Sequence, residues 1–177
     1  MLKSIEYPYA HLHAQLDQGV LILSIDRAEA KNALNMDLYI NLRQAICEAD
    51  QASEVRVLIL RGVDQDFSAG NDIQSFFQLP ELPQAGQAGS TPPFMLLKAM
   101  AEFSKPCIAA VRGACIGVAN TLLLHFDFVY ADNTATFQMP FVSLGLSLEG
   151  AASLLLVQRA GYHLAADILL SAKKYDA

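Results

Sequence analysis

Two apolar stretches, each followed by small residues and then by a helical pattern, constrain the fold of this chain most. The first spans residues 55–60 and leads into a turn at 66–73, and the second spans 107–111 and leads into small residues at 113–120. Strands that are apolar on both faces are typical of a sheet covered on both sides. The repeated unit therefore predicts an α/β protein.

The two turns also share a chemical property. Backbone N–H groups at the start of a helix have no partner within that helix, and they favour a negatively charged oxygen. Gly70 in the first turn would let a ligand approach the main chain closely. Taken alone, this turn favours an ordinary strand-to-helix connection. Two such turns brought side by side would form an oxyanion hole with two donors.

Composition and charge limit the classes of protein to which the chain could belong. Its 177 residues are 53% hydrophobic, which is enough for a sizeable core in a single domain over residues 1–177, with the core from about residue 12. The net charge is −6 and the Lys and Arg residues are scattered, which excludes nucleic acid as the main partner. The N-terminus lacks the apolar run of a signal peptide, and no later run has membrane-spanning length. We therefore expect a cytoplasmic protein that does not enter a membrane.

The cysteines and histidines do not indicate a metal site. Cys47, Cys107 and Cys115 lie in apolar surroundings without metal-ligand spacing, so we interpret them as reduced thiols of the core. His11 and His13 could share one face of a strand, but the sequence offers no third ligand nearby. We expect no metal ion.

Hydrophobic periodicity and turn residues place the remaining elements. Residues 12–25 predict a hairpin, and Asn35 predicts the N-cap of a helix that ends near Asp50. The prolines and glycines at 79–93 predict a mobile loop, which could be a lid. The other predicted elements are a helix that begins at Pro93, short strands at 126–131 and 135–138, and helices at 121–125, 149–161 and 162–170.

Four stretches carry a family resemblance, and they read Asp26-Arg27-Ala28-Glu29-Ala30-Lys31-Asn32-Ala33-Leu34, Phe67-Ser68-Ala69-Gly70-Asn71-Asp72-Ile73, Lys105-Pro106-Cys107-Ile108-Ala109-Ala110-Val111-Arg112-Gly113 and Phe137-Gln138-Met139-Pro140. In order and spacing they resemble the crotonase superfamily, also called the enoyl-CoA hydratase/isomerase family. The resemblance implies a ClpP/crotonase-like spiral of β-β-α repeats. It also implies an acyl-CoA thioester substrate and an enolate held by two backbone N–H groups, with no separate cofactor.

Carried over by position, the resemblance assigns the two oxyanion-hole donors to the N–H groups of Asn71 and Val118. The implied substrate-binding residues around them are Ser68, Ala69, Gly70, Asp72, Ile73, Gly117 and Phe141. The implied contacts to the phosphates and adenine of coenzyme A are Arg27, Ala28 and Lys31. Two alternatives stay open. Asp72 could have a structural role, because an aspartate after a turn often caps a helix. Arg27 and Lys31 could be solvated surface charges without a ligand.

The positions of the carboxylates distinguish between reactions of the family. Its hydratases carry catalytic glutamates at the positions of Thr121 and Phe141, and neither of these residues can activate water. The closer resemblance is to peroxisomal-type Δ3,Δ2-enoyl-CoA isomerases and their bacterial relatives, whose single catalytic glutamate corresponds to Glu149. Apolar neighbours such as Leu146 and Leu148 would raise the pKa of Glu149. Without the resemblance, a carboxylate in the first turn of a helix needs no chemical role.

The expected function is isomerisation of a 3-enoyl-CoA to a trans-2-enoyl-CoA, with Glu149 moving a proton from C2 to C4. Two alternatives stay open: another crotonase reaction of the hydratase, thioesterase or dehalogenase type, and a non-catalytic acyl-CoA-binding or interaction module. Family members usually continue past the position of residues 173–177 into a helical segment that helps to form trimers. We therefore expect a C-terminal helical segment that is cut short, and a homotrimer or a dimer of trimers if that segment is present or replaced.

Overall fold

The structure is a computed structural model and describes residues 3–5, 8–77 and 88–177. Its strands are β1 (Lys3–Ile5), β2 (Leu12–Asp17), β3 (Val20–Ile25), β4 (Val57–Gly62), β5 (Cys107–Val111), β6 (Ala114–Ile116), β7 (Phe128–Ala131), β8 (Thr136–Gln138) and β9 (Lys174–Asp176). Its helices are α1 (Met36–Gln51), α2 (Ile73–Phe77), α3 (Pro92–Glu102), α4 (Val118–Leu123), α5 (Ala152–Ala160) and α6 (Tyr162–Ser171). Short 3-10 turns are Ala28–Ala30, Ala88–Ser90 and Val142–Leu144.

Strand pairing creates two sheets. The larger has the order β1-β2-β3-β4-β5-β7, antiparallel from β1 to β3 and parallel from β3 to β7. The smaller has the order β6-β8-β9, in which β6 and β8 are parallel. The chain contributes to both sheets in successive units, first β5-β6-α4 and then β7-β8-α5. The predicted α/β class with a spiral of β-β-α repeats is confirmed.

One apolar core joins the larger sheet to α1 and α3. The buried face of α1 carries Leu38, Leu42 and Ile46 at helical spacing, and each of these side chains contributes about 1.5–3 kcal/mol through burial. Asn35 begins the helix as predicted, because its side-chain oxygen accepts a hydrogen bond from the Leu38 N–H at 2.8 Å. α1 is thereby fixed on the sheet.

A second apolar cluster packs α5 against α6 and against the segment that precedes them. Phe141 is buried in this cluster, and Leu148 packs against it from the side. The segment between these two residues, 142–147, is exposed. It is therefore a surface loop with two anchored ends, and its second anchor is the neighbour of Glu149.

Some predicted boundaries were wrong. α4 begins at Val118 instead of 121, because the small residues after Gly117 are buried and continue the helix. Residues 88–93 of the predicted loop form a 3-10 turn and the start of α3, whereas 79–87 lie outside the described residues.

Other differences concern single residues and three strands. Cys107 and Cys115 are buried as predicted, but Cys47 is exposed on α1, so its assignment to the core was wrong. The first turn of α5 begins at Ala152, so Glu149 precedes that helix instead of lying within it. β1, β6 and β9 were not predicted. No helix in the described ranges is both long and apolar enough to span a membrane.

Candidate active site

The first donor loop, which we define as residues 68–71, has a tightly packed backbone. Gly70 has a φ of 86°, and a Cβ at this position would lie 2.5 Å from the carbonyl oxygen of Ile116. The Gly70 N–H donates to Oγ of the fully buried Ser68 at 3.1 Å. Both the backbone conformation and the close contact require glycine at position 70.

The second donor loop, which we define as residues 115–118, ends where α4 begins. The Gly117 N–H donates to the carbonyl oxygen of Gln138 at 2.9 Å, and the Gly117 carbonyl accepts from the Thr121 N–H at 3.0 Å. Gly117 also has a positive φ, of 59°. Unlike in the first donor loop, a Cβ here would meet no atom of the described residues within 4 Å.

Main-chain hydrogen bonds hold the two donor loops against each other. The Ser68 N–H donates to the carbonyl oxygen of Ala114 at 2.9 Å, and the Ile116 N–H donates to that of Ser68 at 3.1 Å. On its other side the first donor loop pairs with Leu34, whose N–H donates to the Gly70 carbonyl at 2.7 Å. The separation of the loops is therefore set by backbone contacts.

Each donor loop ends in a backbone N–H that is free to bind a ligand. Within the described ranges, neither the Asn71 N–H nor the Val118 N–H donates a hydrogen bond. Both residues line one cavity of about 390 Å³. Among the described residues, the lining is Ala69, Gly70, Asn71, Ile73, Ile116, Gly117, Val118, Pro140, Phe141, Leu144 and Leu146. A mostly apolar cavity with two unpaired donors suits a flexible acyl group whose carbonyl needs hydrogen bonds.

Glu149 lies just before α5 and is bound to α4. Thr121 Oγ1 donates to Glu149 Oε1 at 2.5 Å, and Thr121 lies about one helical turn after Val118. Burial raises the pKa of Glu149, and the hydrogen bond from Thr121 opposes that rise. The predicted direction of the pKa shift is confirmed. Glu149 is not among the residues that line the cavity, so its carboxylate lies next to the second donor loop instead of forming the cavity wall.

The backbone beside Glu149 is also held. His125 Nε2 lies 3.0 Å from the carbonyl oxygen of Gly150, and a Cβ at Gly150 would lie 3.1 Å from Thr121 Cβ. Burial lowers the pKa of His125, which favours a neutral ring that donates to this carbonyl. Thr121 and His125 together fix the position of the Glu149–Gly150 peptide against α4.

Tyr39 connects the first donor loop to α1. Its side chain is fully buried, and its hydroxyl donates to Oδ1 of Asn71. Burial raises the pKa of Tyr39 well above its usual value, and the negative charge of Glu149 raises it further. Tyr39 thus binds one donor residue and lies within electrostatic reach of the carboxylate.

The structure brings most of the predicted site residues together. Seven of them line the cavity: Ala69, Gly70, Asn71, Ile73, Gly117, Val118 and Phe141. Ser68 lies beneath the first donor loop. Asp72 caps α2, because its Oδ1 accepts from the N–H groups of Gln74 at 3.0 Å and Ser75 at 3.3 Å. The alternative structural role for Asp72 is therefore confirmed.

The three residues predicted to contact coenzyme A lie on one surface turn. Arg27 Nη1 binds Asp72 Oδ2 at 2.6 Å and donates to the Ala33 carbonyl at 3.0 Å. Ala28, the first residue of the 3-10 turn, and Lys31, which directly follows the turn, are both exposed. Lys31 is thus available to a ligand phosphate, whereas much of the hydrogen-bonding capacity of Arg27 is used within the protein.

Sequence reasoning missed some residues of the site. Tyr39 falls on the apolar face of α1, where an aromatic side chain predicts core packing and not a hydrogen bond to a loop 32 positions away. Thr121 was named only because hydratases of the family carry a glutamate at its position, and it was given no role of its own. A polar side chain among the apolar residues of a buried helix was the signal that could have identified it.

A family model described as Enoyl-CoA hydratase/isomerase matches residues 15–177. The chain belongs to this family. The human protein named Enoyl-CoA delta isomerase 2 is 32% identical over 165 residues, which are 91% of this chain and 41% of that protein. The 2,3-dehydroadipyl-CoA hydratase of Escherichia coli (strain K12) is 31% identical over 160 residues, which are 90% of this chain and 61% of that protein.

Among solved structures of the family, a crystallised Acinetobacter baumannii protein, provisionally named an enoyl-CoA hydratase/isomerase, superposes with a TM-score of 0.92. It is 55% identical, and the alignment covers 96% of this chain and 68% of that one. The chain therefore has the crotonase fold, and it spans about two fifths of the human relative. Because both an isomerase and a hydratase are among the relatives, family membership alone does not select the reaction.

Proposed function

We propose that this protein is an enoyl-CoA isomerase that moves a double bond from C3 to C2 of an acyl-CoA thioester. The observation that carries the proposal is the position of Glu149. Its carboxylate has a raised pKa and accepts a hydrogen bond from α4, the helix that begins at the free amide of Val118. Tyr39, whose hydroxyl binds the side chain of Asn71, also interacts with the charge of Glu149. A weak carbon acid needs this combination of a base and oxyanion donors.

In the first step, the thioester oxygen accepts hydrogen bonds from the N–H groups of Asn71 and Val118. The Glu149 carboxylate then takes a proton from C2. The electron pair of the broken C–H bond forms a C1–C2 double bond, and the carbonyl oxygen becomes negatively charged. Each well-aimed donor is worth roughly a hundredfold or more in rate.

In the second step, the protonated Glu149 returns a proton to C4. The electron pair of the C3–C4 double bond forms the new C–H bond, a double bond forms between C2 and C3, and the carbonyl is restored. Atoms and electrons balance without a cofactor. The raised pKa of Glu149 suits both steps, because it lies closer to the working pH than that of an exposed glutamate.

The residues at the family's other acidic positions argue against hydration. Adding water across a double bond requires groups that orient and deprotonate water and supply the second proton. Thr121 uses its hydroxyl to bind Glu149, and Phe141 is apolar and buried. These side chains support a reaction in which one carboxylate carries the proton throughout.

The decisive test is incubation of the protein with 3-enoyl-CoA and 2-enoyl-CoA in D₂O, with the products identified by mass spectrometry. We expect 3-enoyl-CoA to be converted to trans-2-enoyl-CoA, and Glu149→Gln to lower kcat by about 10²–10⁴-fold. The variant should bind the thioester nearly as tightly as the wild type. Formation of 3-hydroxyacyl-CoA, or unchanged turnover by the variant, would contradict the proposal.

The assembly expected from the family resemblance where the C-terminal helical segment is present or replaced, a homotrimer or a dimer of trimers, is a further part of the proposal. Strand β7 lies at one edge of the larger sheet and exposes Phe128, Val129 and Tyr130. An apolar sheet edge of this kind is suited to being covered by another chain. Sedimentation equilibrium would test this, and a monomer at micromolar concentration would contradict it.

A further inference from the structure

The hydroxyl group of Thr121 has two possible acceptors. It lies 2.5 Å from Glu149 Oε1 and 3.1 Å from the carbonyl oxygen of Val118. A hydroxyl has one proton, so it donates to only one of these oxygens at a time. The closer of the two oxygens, Glu149 Oε1, is also the stronger acceptor when Glu149 is ionised.

The two oxygens of Glu149 have different surroundings. Oε1 accepts from Thr121, while Oε2 has no hydrogen-bond partner in the part of the chain that the structure describes. In the same part of the chain, no fully enclosed side-chain oxygen lacks a partner. Oε2 is therefore open to solvent or to a ligand, whereas Oε1 is occupied.

We propose that Thr121 is a positioning residue that holds Oε1 of Glu149 and leaves Oε2 as the oxygen that takes the proton from C2 and returns it at C4. This inference rests on the proposed isomerase function. It gives a role to the residue that stands where hydratases of the family carry a glutamate.

One hydrogen bond can serve both protonation states of Glu149. When Glu149 is ionised, Thr121 donates to a carboxylate oxygen. When Oε2 carries the proton, Oε1 is a carbonyl oxygen that still accepts from Thr121, although more weakly. The carboxyl group therefore need not rotate between the two proton transfers, and the same proton can reach C4 before it exchanges with water.

The backbone around Glu149 supports this arrangement. Gly150 has a φ of 60°, and a Cβ there would lie 3.2 Å from Thr121 Oγ1. The close approach of Gly150 places the preceding residue against the Thr121 side chain. Thr121 is fully buried, so water does not compete for its hydroxyl.

Few other titratable groups influence Glu149. Across the described residues, Tyr39 from α1 interacts with the Glu149 charge, and His125, which follows α4, binds the carbonyl group of the next residue, Gly150. The pKa of Tyr39 is raised and that of His125 is lowered, so both are uncharged near neutral pH. A change in the titration of Glu149 after substitution of Thr121 therefore reports on their hydrogen bond.

The test compares Thr121→Val, which removes the hydroxyl at nearly constant volume, with Thr121→Ser, which keeps it. The first measurement is the fraction of deuterium from a C2-deuterated 3-enoyl-CoA that appears at C4. We expect Thr121→Val to lower this fraction and to lower kcat about tenfold with little change in KM, and Thr121→Ser to restore both. A purely structural role would lower kcat without changing the retained fraction, which would overturn the inference.

The second measurement needs no substrate, so it separates this inference from the proposed function. The side-chain carboxyl carbon of Glu149 is titrated by ¹³C NMR and assigned by its absence in Glu149→Gln. We expect Thr121→Val to move the pKa of Glu149 upward and Thr121→Ser to leave it near the wild-type value. An unchanged titration in Thr121→Val would overturn the inference. If Thr121→Val does not fold, Thr121→Ala takes its place.

Discussion

The two donor loops present the same chemical group, an N–H without a partner among the described residues, by different structural means. In the first donor loop the amide is free because the chain is pressed between Leu34 and the second loop, with Gly70 against the Ile116 carbonyl. In the second donor loop the amide is free because it opens a helix, where N–H groups have no partner. The first loop depends on packing and the second on helix geometry. The two loops should therefore respond differently to mutation.

The largest difference is expected between alanine substitutions of the two loop glycines. Gly70→Ala places a methyl group 2.5 Å from the Ile116 carbonyl at a φ of 86°, so the loops must separate. We expect the free energy of unfolding to fall by about 2–4 kcal/mol and kcat/KM to fall more than about a hundredfold.

The matched control is Gly117→Ala, which has backbone strain but no clash within the described residues. Its free energy of unfolding should fall by about 1–3 kcal/mol, because a φ of 59° with a ψ of −123° is strained for alanine but no clash is added. Urea denaturation of both variants measures the difference. A larger loss for Gly117→Ala than for Gly70→Ala would show that packing does not distinguish the loops.

The next largest effect concerns the side chain that orients the first donor loop. Tyr39→Phe removes the hydrogen bond to Asn71 but retains the aromatic ring. We expect kcat/KM to fall about tenfold, since loss of one hydrogen bond allows the donor to move. Tyr9→Phe removes a hydroxyl that binds Glu48 outside the cavity, and it should leave kcat/KM unchanged. Equal rates for both variants would contradict the role of Tyr39.

A smaller effect is expected at the ion pair that follows the first donor loop. Arg27 and Asp72 have side chains only 17% and 14% exposed. Asp72→Asn keeps an oxygen to cap α2 but loses the charge, so we expect a loss of about 1 kcal/mol in thermal or urea unfolding. Asp72→Ala should lose about 1 kcal/mol more. Because Arg27 lowers the pKa of Asp72, the difference between wild type and Asp72→Asn should shrink as pH falls.

The smallest effect tests the charge of Glu149, which is bound to α4. Burial raises the folded-state pKa of Glu149, so its favourable contribution is complete below about pH 4.5 and is lost as pH rises through the folded pKa. As pH rises from about 4.5 to about 8, we expect the free energy of unfolding of Glu149→Gln to increase relative to that of the wild type. Urea denaturation at several pH values measures this difference. A difference that does not change with pH would indicate that Glu149 is not destabilised by burial.

Local patterns predicted much of the fold. The bounds of β5 were predicted correctly, because Pro106 and Arg112 bracket an apolar run. α1 was predicted because its cap and its apolar spacing agree. β9 and the start of α4 were missed, because β9 depends on pairing with β8 and the small residues of α4 are helical only when packed. These features depend on distant parts of the chain.

The candidate site shows the same limit. The motif around Gly70 predicted the cavity wall, and the resemblance pointed to Glu149. The hydrogen bonds from Tyr39 to Asn71 and from Thr121 to Glu149 join residues 32 and 28 positions apart. No local pattern encodes such pairs, so the side chains that orient the site became visible only in the folded structure.

The pairing of Ser68 with Ala114 and Ile116 has an evolutionary consequence. These bonds involve only main-chain atoms, so drift in the neighbouring side chains leaves the distance between the amides nearly constant. In the proposed function, a different reaction would need only another acid or base beside the same pair of backbone donors. Under that proposal the backbone would keep activating the thioester, while single side-chain substitutions would change what happens to the activated carbon.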